Sequence, residues 1–494
     1  MSPRSITIPF LALIVGVPSF QAVWELAREG RVQALEISAS LEAERLRAFD
    51  RALREASLIH REVSPWYQWL LLEAFGRGNE KTIVGLDGWL HYADDLDVLT
   101  SGGFLDRDWT PVDCIADLRD QLAARGIELL VVPVPPKSML VPERLSRWTR
   151  DLSAIHQPDI ERFQSLLQAR GVRALDLRAL LDTLKSATES CYLARDTHWT
   201  PRAMAEVARR LGVEISTILG LSADVSVPVP SRLETVRARG DLVEMLRLPR
   251  GREVFPAMEV ELERPLELPE GGVSDPAAPV LLIGDSFTRA FSDPALGLGE
   301  GAGLGEQLAA HLHQSLDVIA LAGGGARAVR EALARRSSLA ADQGGLAGKR
   351  LVVWEFALRD LGAGPEVWER VELGPAASGS IPAQSSSLLI DAELAAVVPL
   401  PETFDYAFGL AVFGWRVRKV LEGECESTMV WVAHPVVEDY RATADARLAV
   451  GERWLLKLEP IEAHYDLETT SWFRHHDMDV RAAIWFPVAR TPVQ

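Results

Sequence analysis

The sequence predicts an α/β domain, with a parallel sheet layered between helices, followed by a small all-β domain. Three observations carry this reading. From about residue 80 to 361, dense apolar runs alternate with stretches of helical period, the pattern of a helix-covered parallel sheet. Most of those runs lack polar alternation, as strands buried on both faces require. Beyond a linker at 362–384 rich in Gly, Ala, Ser and Pro, strand-like runs continue with little helical period.

The elements follow in chain order. Residues 5–24, SITIPFLALIVGVPSFQAVW, contain no charged side chain. Twenty helical residues rise about 30 Å, the thickness of a bilayer's hydrocarbon layer. This predicts a membrane anchor or signal segment over 1–24. The absence of an A-x-A type cleavage site favours a retained anchor, with the body on the exported side; a buried N-terminal helix is the alternative. Residues 25–79 carry a broken apolar stripe (Leu35, Ile37, Leu41, Leu46, Phe49, Leu53) and predict a stalk or outer helices. Strands are expected at 129–134, 173–177, 280–284, 316–321 and 351–357, and helices at 112–125, 158–170, 201–219, 304–313 and 326–336. The segment 221–278, rich in Pro and Gly, breaks the rhythm and is expected to be an irregular insertion. Residues 385–494 supply five strand candidates, enough for a small barrel with a possible carbohydrate-binding role.

Composition excludes several classes. Fifty-two basic against seventy acidic residues give a net charge of −18, which repels phosphate backbones and argues against nucleic acid as a partner. The three cysteines, Cys114, Cys191 and Cys425, lie far apart and form neither a disulfide framework nor a cysteine zinc site. His311 and His313 point to different sides of a helix, and no metal or cofactor is expected.

Three segments carry candidate chemistry. In PVLLIGDSFTRAF (279–291), an apolar strand ends at Gly284 and Asp285-Ser286 turns into a helix. A serine there presents its hydroxyl at the C-terminal sheet edge, and its N–H lies among the free donors of a helix start. That suits a nucleophile whose intermediate carries an oxyanion, although the same triplet also makes an ordinary capped turn. In RDTHWTP (195–201), Asp196 and His198 stand two apart just before a helix capped by Thr200, with Pro201 in its first turn and Gly212 as its expected stop. Extended backbone turns residues i and i+2 to one side. Asp196 is thus placed to hold one imidazole nitrogen and leave the other for a hydroxyl; a polar turn is the plainer reading. In ALAGGGARA, Gly323 and Gly324 allow backbone N–H groups, with that of Ser286, to approach an oxyanion.

Taken with VGLDGWLHY (84–92), VVPVPPKSMLVPERL (131–145) and LVVWEFALRDL (351–361), these segments resemble the SGNH-hydrolase-like family of alginate O-acetyltransferases, the AlgX/AlgJ type. The resemblance covers about 80–361. It implies a three-layer α/β/α fold with permuted motif order, since Asp196 and His198 precede Ser286. It also implies Ser286 as nucleophile, His198 as general base and acid, and Asp196 as its orienting partner. The implied activity is transfer of an acetyl group to an exported polysaccharide. The donor would be a membrane-bound acyltransferase, and the site periplasmic, at the inner membrane. Two departures stand out: His91 replaces a common aromatic residue, and the glycine loop lacks the asparagine that such enzymes lend to the oxyanion hole. Arg359, past the last strand, is a candidate for an anionic sugar carboxylate; a surface ion pair with Asp360 or Glu355 is the plainer reading. An acetyl esterase using the same triad, and a non-catalytic polysaccharide-binding protein whose tail tryptophans (Trp415, Trp431, Trp454, Trp472, Trp485) stack on sugars, are the alternatives.

Overall fold

The computed structural model describes residues 58–493 except 186–189, 222–227, 338–344, 375–386, 399, 401–407, 426, 439–440, 462–470, 475–477 and 479–482. The expected anchor at 1–24 and most of the expected stalk lie outside the described residues. Among the described residues, no helix is long and apolar enough to cross a membrane.

The chain divides into two compact units. The smaller includes the helix Leu58–Phe75 and residues 247–252, where the Arg252 guanidinium lies 5.0 Å from the Trp69 ring centre.

The larger unit opens with a hairpin, β1 (Thr82–Val84) and β2 (Leu90–Tyr92). The helix Pro111–Ala123 starts at Thr110, which forms a reciprocal capping box with Asp113. Then come β3 (Glu128–Val134) and β4 (Arg173–Ala174). The apolar run at 173–177 predicted a longer strand, but Asp176 caps the next helix, Leu177–Leu184, and ends it. The helix Pro201–Leu219 runs through Gly212; its stop is Gly220, at φ +66°. The expected irregular insertion contains an antiparallel hairpin, β5 (Ser231–Ala238) with β6 (Met258–Pro265), and a short helix Asp241–Met245 between them. In β6 exposed residues alternate with buried Val260 and Leu262, while β5 buries only Ala238, a two-sided pattern that the flanking Pro and Gly obscure in the sequence.

The strands β7 (Val280–Gly284), β8 (Asp317–Ala320) and β9 (Leu351–Ala357) complete a five-stranded parallel sheet of order β4-β3-β9-β7-β8. Every residue of β7 and β9 is buried, because helices cover both faces. The C-terminal ends of β9, β7 and β8 are neighbours, so the turns after them meet at one rim. Part of the expected linker, Pro365–Trp368, packs as a helical turn: the Trp368 indole N–H donates to the Asp360 carbonyl at 2.8 Å.

The C-terminal segment is a barrel. Strands β10 (Leu388–Ala396), β11 (Phe408–Glu422), β12 (Met429–Glu438), β14 (Arg453–Pro460) and β16 (Ile484–Pro492) pair in the closed cycle β12-β16-β14-β10-β11-β12. Two short strands, β13 (Arg441–Ala442) and β15 (Ser471–Arg474), flank it. In β10, Leu388, Ile390, Ala392 and Leu394 face inward by strict alternation. Trp415 and Trp485 are buried in this core, while Trp431 and Trp454 are half-buried.

Candidate active site

The Ser286 turn is fixed from below. After Gly284 the chain enters a single helical turn, Ser286–Arg289, capped by Asp285, whose Oδ1 accepts the Phe287 N–H at 2.8 Å. Asp285 Oδ2 accepts the Ala357 N–H at 3.1 Å, tying the turn to the end of β9. Glu355 of β9 lies underneath. Its Oε2 accepts the Asp285 N–H at 3.0 Å and the Thr288 hydroxyl at 2.8 Å. Burial, then the nearby Asp285 charge, push the Glu355 carboxyl well above the usual range. A Cβ on Gly284 would fall 2.1 Å from Thr288 Oγ1 and 2.6 Å from Glu355 Oε2; the packed turn therefore requires glycine.

The second part is the loop before the helix Pro201–Leu219. Tyr192 and Trp199 bridge across it, and the Leu193 N–H donates to the His198 carbonyl at 3.0 Å. Within this tight loop the His198 Nδ1–H donates to Asp196 Oδ1 at 2.6 Å, and the same oxygen accepts the His198 backbone N–H at 3.0 Å. Asp196 Oδ2 accepts the Asp241 N–H at 3.0 Å. Burial disfavours the charged imidazole, but the Asp196 charge and hydrogen bond, with Asp241 adding, outweigh it; His198 titrates above an ordinary histidine. With Nδ1 on the carboxylate, the neutral ring keeps its lone pair at Nε2. That atom is buried and has no hydrogen-bond partner among the described residues.

The two parts meet. The His198 ring packs edge-on to Phe287, centroids 5.0 Å apart. Asp196, His198 and Ser286 line one pocket of about 380 Å³, together with Tyr92, Asp241 and Gly323. Ser286 is itself half-buried, as a hydroxyl open to a pocket should be. Of the glycine loop, Gly323 (φ +72°) lines the pocket. Gly324 does not: a Cβ there would meet the Ala328 Cβ at 2.5 Å.

Arg359 also lines the pocket. Its partner is neither Asp360 nor Glu355 but Asp95, buried on the helix Ala93–Thr100, at 3.1 Å. The guanidinium lies 5.3 Å from the Tyr92 ring centre and 5.5 Å from that of Phe287. Asp360 caps the helix Gly325–Ser337 by accepting the Ala326 N–H at 2.7 Å; burial, then the Asp285 charge, push it up to about 7. His91 is a buried, packed ring. Its Nδ1 lies 3.1 Å from Ser138 Oγ, and burial, then the Lys137 charge, lower it to about 3.

Two residues of this site escape sequence reasoning. Lys137 is wholly buried and donates to the carbonyls of Leu90 (2.6 Å), Ala194 (3.1 Å) and Asp196 (3.0 Å). Burial lowers it to about 7, against the pull of Asp196, Asp241 and Asp95. A lone lysine inside the apolar VVPVPPKSMLV run was the available signal, because a buried amine needs acceptors. Asp241 gave none. Gly240 places it by close approach: a Cβ there would lie 2.2 Å from the Arg195 carbonyl oxygen.

Asp196, His198 and Asp241 each bring a ligand atom within 4.8 Å of the others, the spacing of a metal site. Their carboxylate oxygens already accept N–H and O–H donors from His198, Asp241 and Thr197, which a metal would have to displace. The arrangement holds protons.

A family profile described as "SGNH hydrolase-like domain, acetyltransferase AlgX" matches residues 82–358, more than half of the chain. The "Probable alginate O-acetylase AlgJ" of Pseudomonas syringae pv. tomato is 26% identical over 295 residues, covering 60% of this chain and 72% of the relative. The protein of the same name from Pseudomonas aeruginosa is 29% identical over 204 residues, covering 40% of this chain and half of the relative. Among solved structures, the O-acetyltransferase domain of Pseudomonas putida AlgJ is 24% identical, with a TM-score of 0.42, covering 57% of this chain and 93% of that one. Pseudomonas aeruginosa AlgX is 17% identical, with a TM-score of 0.40, covering 82% and 90%.

Proposed function

The chain belongs to the SGNH hydrolase-like acetyltransferase AlgX family, and on that premise we propose that it is an O-acetyltransferase that carries acetyl through Ser286 to hydroxyls of an exported polysaccharide, alginate being the polymer named for its relatives. The observation that supports this best is the His198 ring: Nδ1 is held by Asp196 at 2.6 Å, Nε2 is buried and has no partner among the described residues, and His198 lines the same pocket as Ser286.

In the first half-reaction Ser286 Oγ attacks the acetyl carbonyl and His198 Nε2 takes the hydroxyl proton. The imidazolium passes that proton to the departing donor group, leaving acetyl-Ser286. A sugar hydroxyl then attacks the ester; Nε2 accepts its proton and returns it to Ser286 Oγ. Asp196 fixes the tautomer and stabilises the imidazolium. The N–H groups of Ser286 and Gly323 are the oxyanion donors in this reading; Gly324, off the pocket, is not among them. Arg359, already balanced by Asp95, shapes the wall and offers its remaining N–H groups to an acceptor carboxylate. Acetyl arrives from a membrane-bound acyltransferase, and the protein works in the periplasm, held at the inner membrane by residues 1–24.

The test is kinetic. Ser286→Ala should lose about a thousandfold or more of p-nitrophenyl acetate turnover; unchanged turnover removes the nucleophile. Incubated with a donor, oligosaccharide acceptor should gain acetyl mass. Loss of acetyl from pre-acetylated oligosaccharide, without gain, would make the protein an esterase.

A further inference from the structure

Resting on the reading of His198 as the base, we infer that Asp241 is a positioning residue of the acid–base pair: through Asp196 and Thr197 it holds the His198 ring in place, and as a second carboxylate beside Nδ1 it stabilises the imidazolium that forms during acetyl transfer.

Five contacts carry this. The Asp241 backbone N–H donates to Asp196 Oδ2 at 3.0 Å, on the oxygen that His198 leaves free. Asp241 Oδ1 accepts the Thr197 N–H at 2.8 Å, and its Oδ2 accepts the Thr197 hydroxyl at 2.5 Å. That hydroxyl lies 3.3 Å from His198 Nδ1, and Asp241 Oδ2 itself lies 3.9 Å from the same nitrogen. One residue thus braces both sides of the Asp196–His198 loop from a distant part of the chain. The hairpin insertion acquires a purpose: β5, β6 and the helix Asp241–Met245 deliver this carboxylate to the pocket.

Charge follows geometry. At 3.9 Å an ionised Asp241 favours the protonated ring even where solvent screening is strong. Burial, then the Asp196 charge, raise Asp241 itself to about 7, so its support for the imidazolium strengthens as pH rises through that value. The other charged groups facing the pair are Lys137 beneath Asp196, Arg359 after β9 with its partner Asp95, and Asp285 on the nucleophile turn. Transfer requires neutral His198, so the rate falls as pH drops through its pKa. Removing a nearby anion lowers that pKa.

The experiment is the pH profile of p-nitrophenyl acetate turnover in the full chain. Asp241→Asn keeps a carbonyl for Thr197 and removes the charge. Its acid limb should move down by about half a pH unit or more, with a several-fold lower plateau. Asp241→Ser, also uncharged, should move the limb the same way. Thr197→Val keeps the Asp241 carboxyl but cuts the hydroxyl bridge; its plateau should fall, with a smaller limb shift than in the Asp241 variants. An acid limb unmoved or raised in the Asp241 variants overturns the electrostatic role, and an undiminished plateau in Thr197→Val overturns the positioning role. If either Asp241 variant fails to fold, the other and Thr197→Val decide. Ser286→Ala and His198→Ala separate the two levels. If either keeps full turnover, the functional reading itself fails; if both lose it and the Asp241 limb stays put, only this inference fails.

Discussion

Two buried histidine–aspartate pairs in this chain have opposite fates. In the α/β domain, His198 donates through Nδ1 to Asp196 at 2.6 Å and leaves Nε2 without a partner among the described residues. In the barrel, His434 Nδ1 lies 3.2 Å from Asp445, but its Nε2 accepts the Trp415 indole N–H at 3.1 Å, and the ring stacks on Phe413 with centroids 5.3 Å apart. Burial pushes His434 below an ordinary histidine, and Asp445 cannot reverse this because Arg490 takes a share of its charge. For His198 the same burial penalty is outweighed, because Asp196 is joined by Asp241. A histidine–carboxylate contact is thus not a catalytic signature. What separates the two is the state of the second nitrogen and the balance of charges around the carboxylate.

Substitution should divide the pairs sharply. His198→Ala is expected to lose about 10²–10⁴-fold in turnover with little change in melting temperature. His434→Ala should do the reverse. It strands the Trp415 N–H in the barrel core at about 1–3 kcal/mol and takes one of two partners from Asp445, which keeps Arg490, while turnover per folded molecule holds. Loss of activity in His434→Ala at full stability would erase the distinction. Gly284→Ala comes next: its methyl collides with Thr288 and Glu355 under the nucleophile turn, so turnover should collapse. A fully active variant would show that the turn is not packed as described.

A smaller effect appears in thermal melts against pH. The folded-state pKa of His434 is depressed, so between that value and about 6.5 the unfolded chain binds more protons. Stability from this site is present above about pH 6.5 and is lost as pH falls through the window. His198 runs the other way: its raised pKa adds stability below about 6.5 that disappears as pH climbs through the folded value. The melting advantage of wild type over His434→Gln should therefore shrink on acidification; an advantage that grows would contradict the depressed pKa. Smallest is Trp415→Phe, which removes one hydrogen bond to His434 Nε2 for about 1 kcal/mol. Calorimetry should detect it, and a change in p-nitrophenyl acetate kinetics would contradict the separation of the two pairs.

Much of this was legible before any coordinates. Dense apolar runs gave β3, β7 and β9 because burial on both faces leaves a one-dimensional signature. The helix Pro201–Leu219 was readable from its Thr200 cap and Pro201, although Gly212 looked like a stop; a glycine mid-helix costs only about 1 kcal/mol, which packing absorbs. Asp196 and His198 were readable as a pair because two residues of extended chain suffice to join them. Asp241 was not, since its role depends on a hairpin folding back across 45 residues. The partner of Arg359 was hidden likewise: Asp95 lies 264 positions away, and nearer acids offered a simpler pairing. In the barrel, the lack of helical period exposed the strands, but the closure of the second His434 nitrogen by Trp415 was not legible, because it forms only once β11 and β12 pair.

The central claim is an acetyl group on Ser286, and the direct measurement is mass spectrometry of the protein quenched during p-nitrophenyl acetate turnover without acceptor. The peptide containing residues 279–291 should carry one acetyl group in wild type, none in Ser286→Ala, and should release it when a sugar acceptor is added. Full turnover with that peptide unmodified, or with the acetyl group on another residue, would contradict the account.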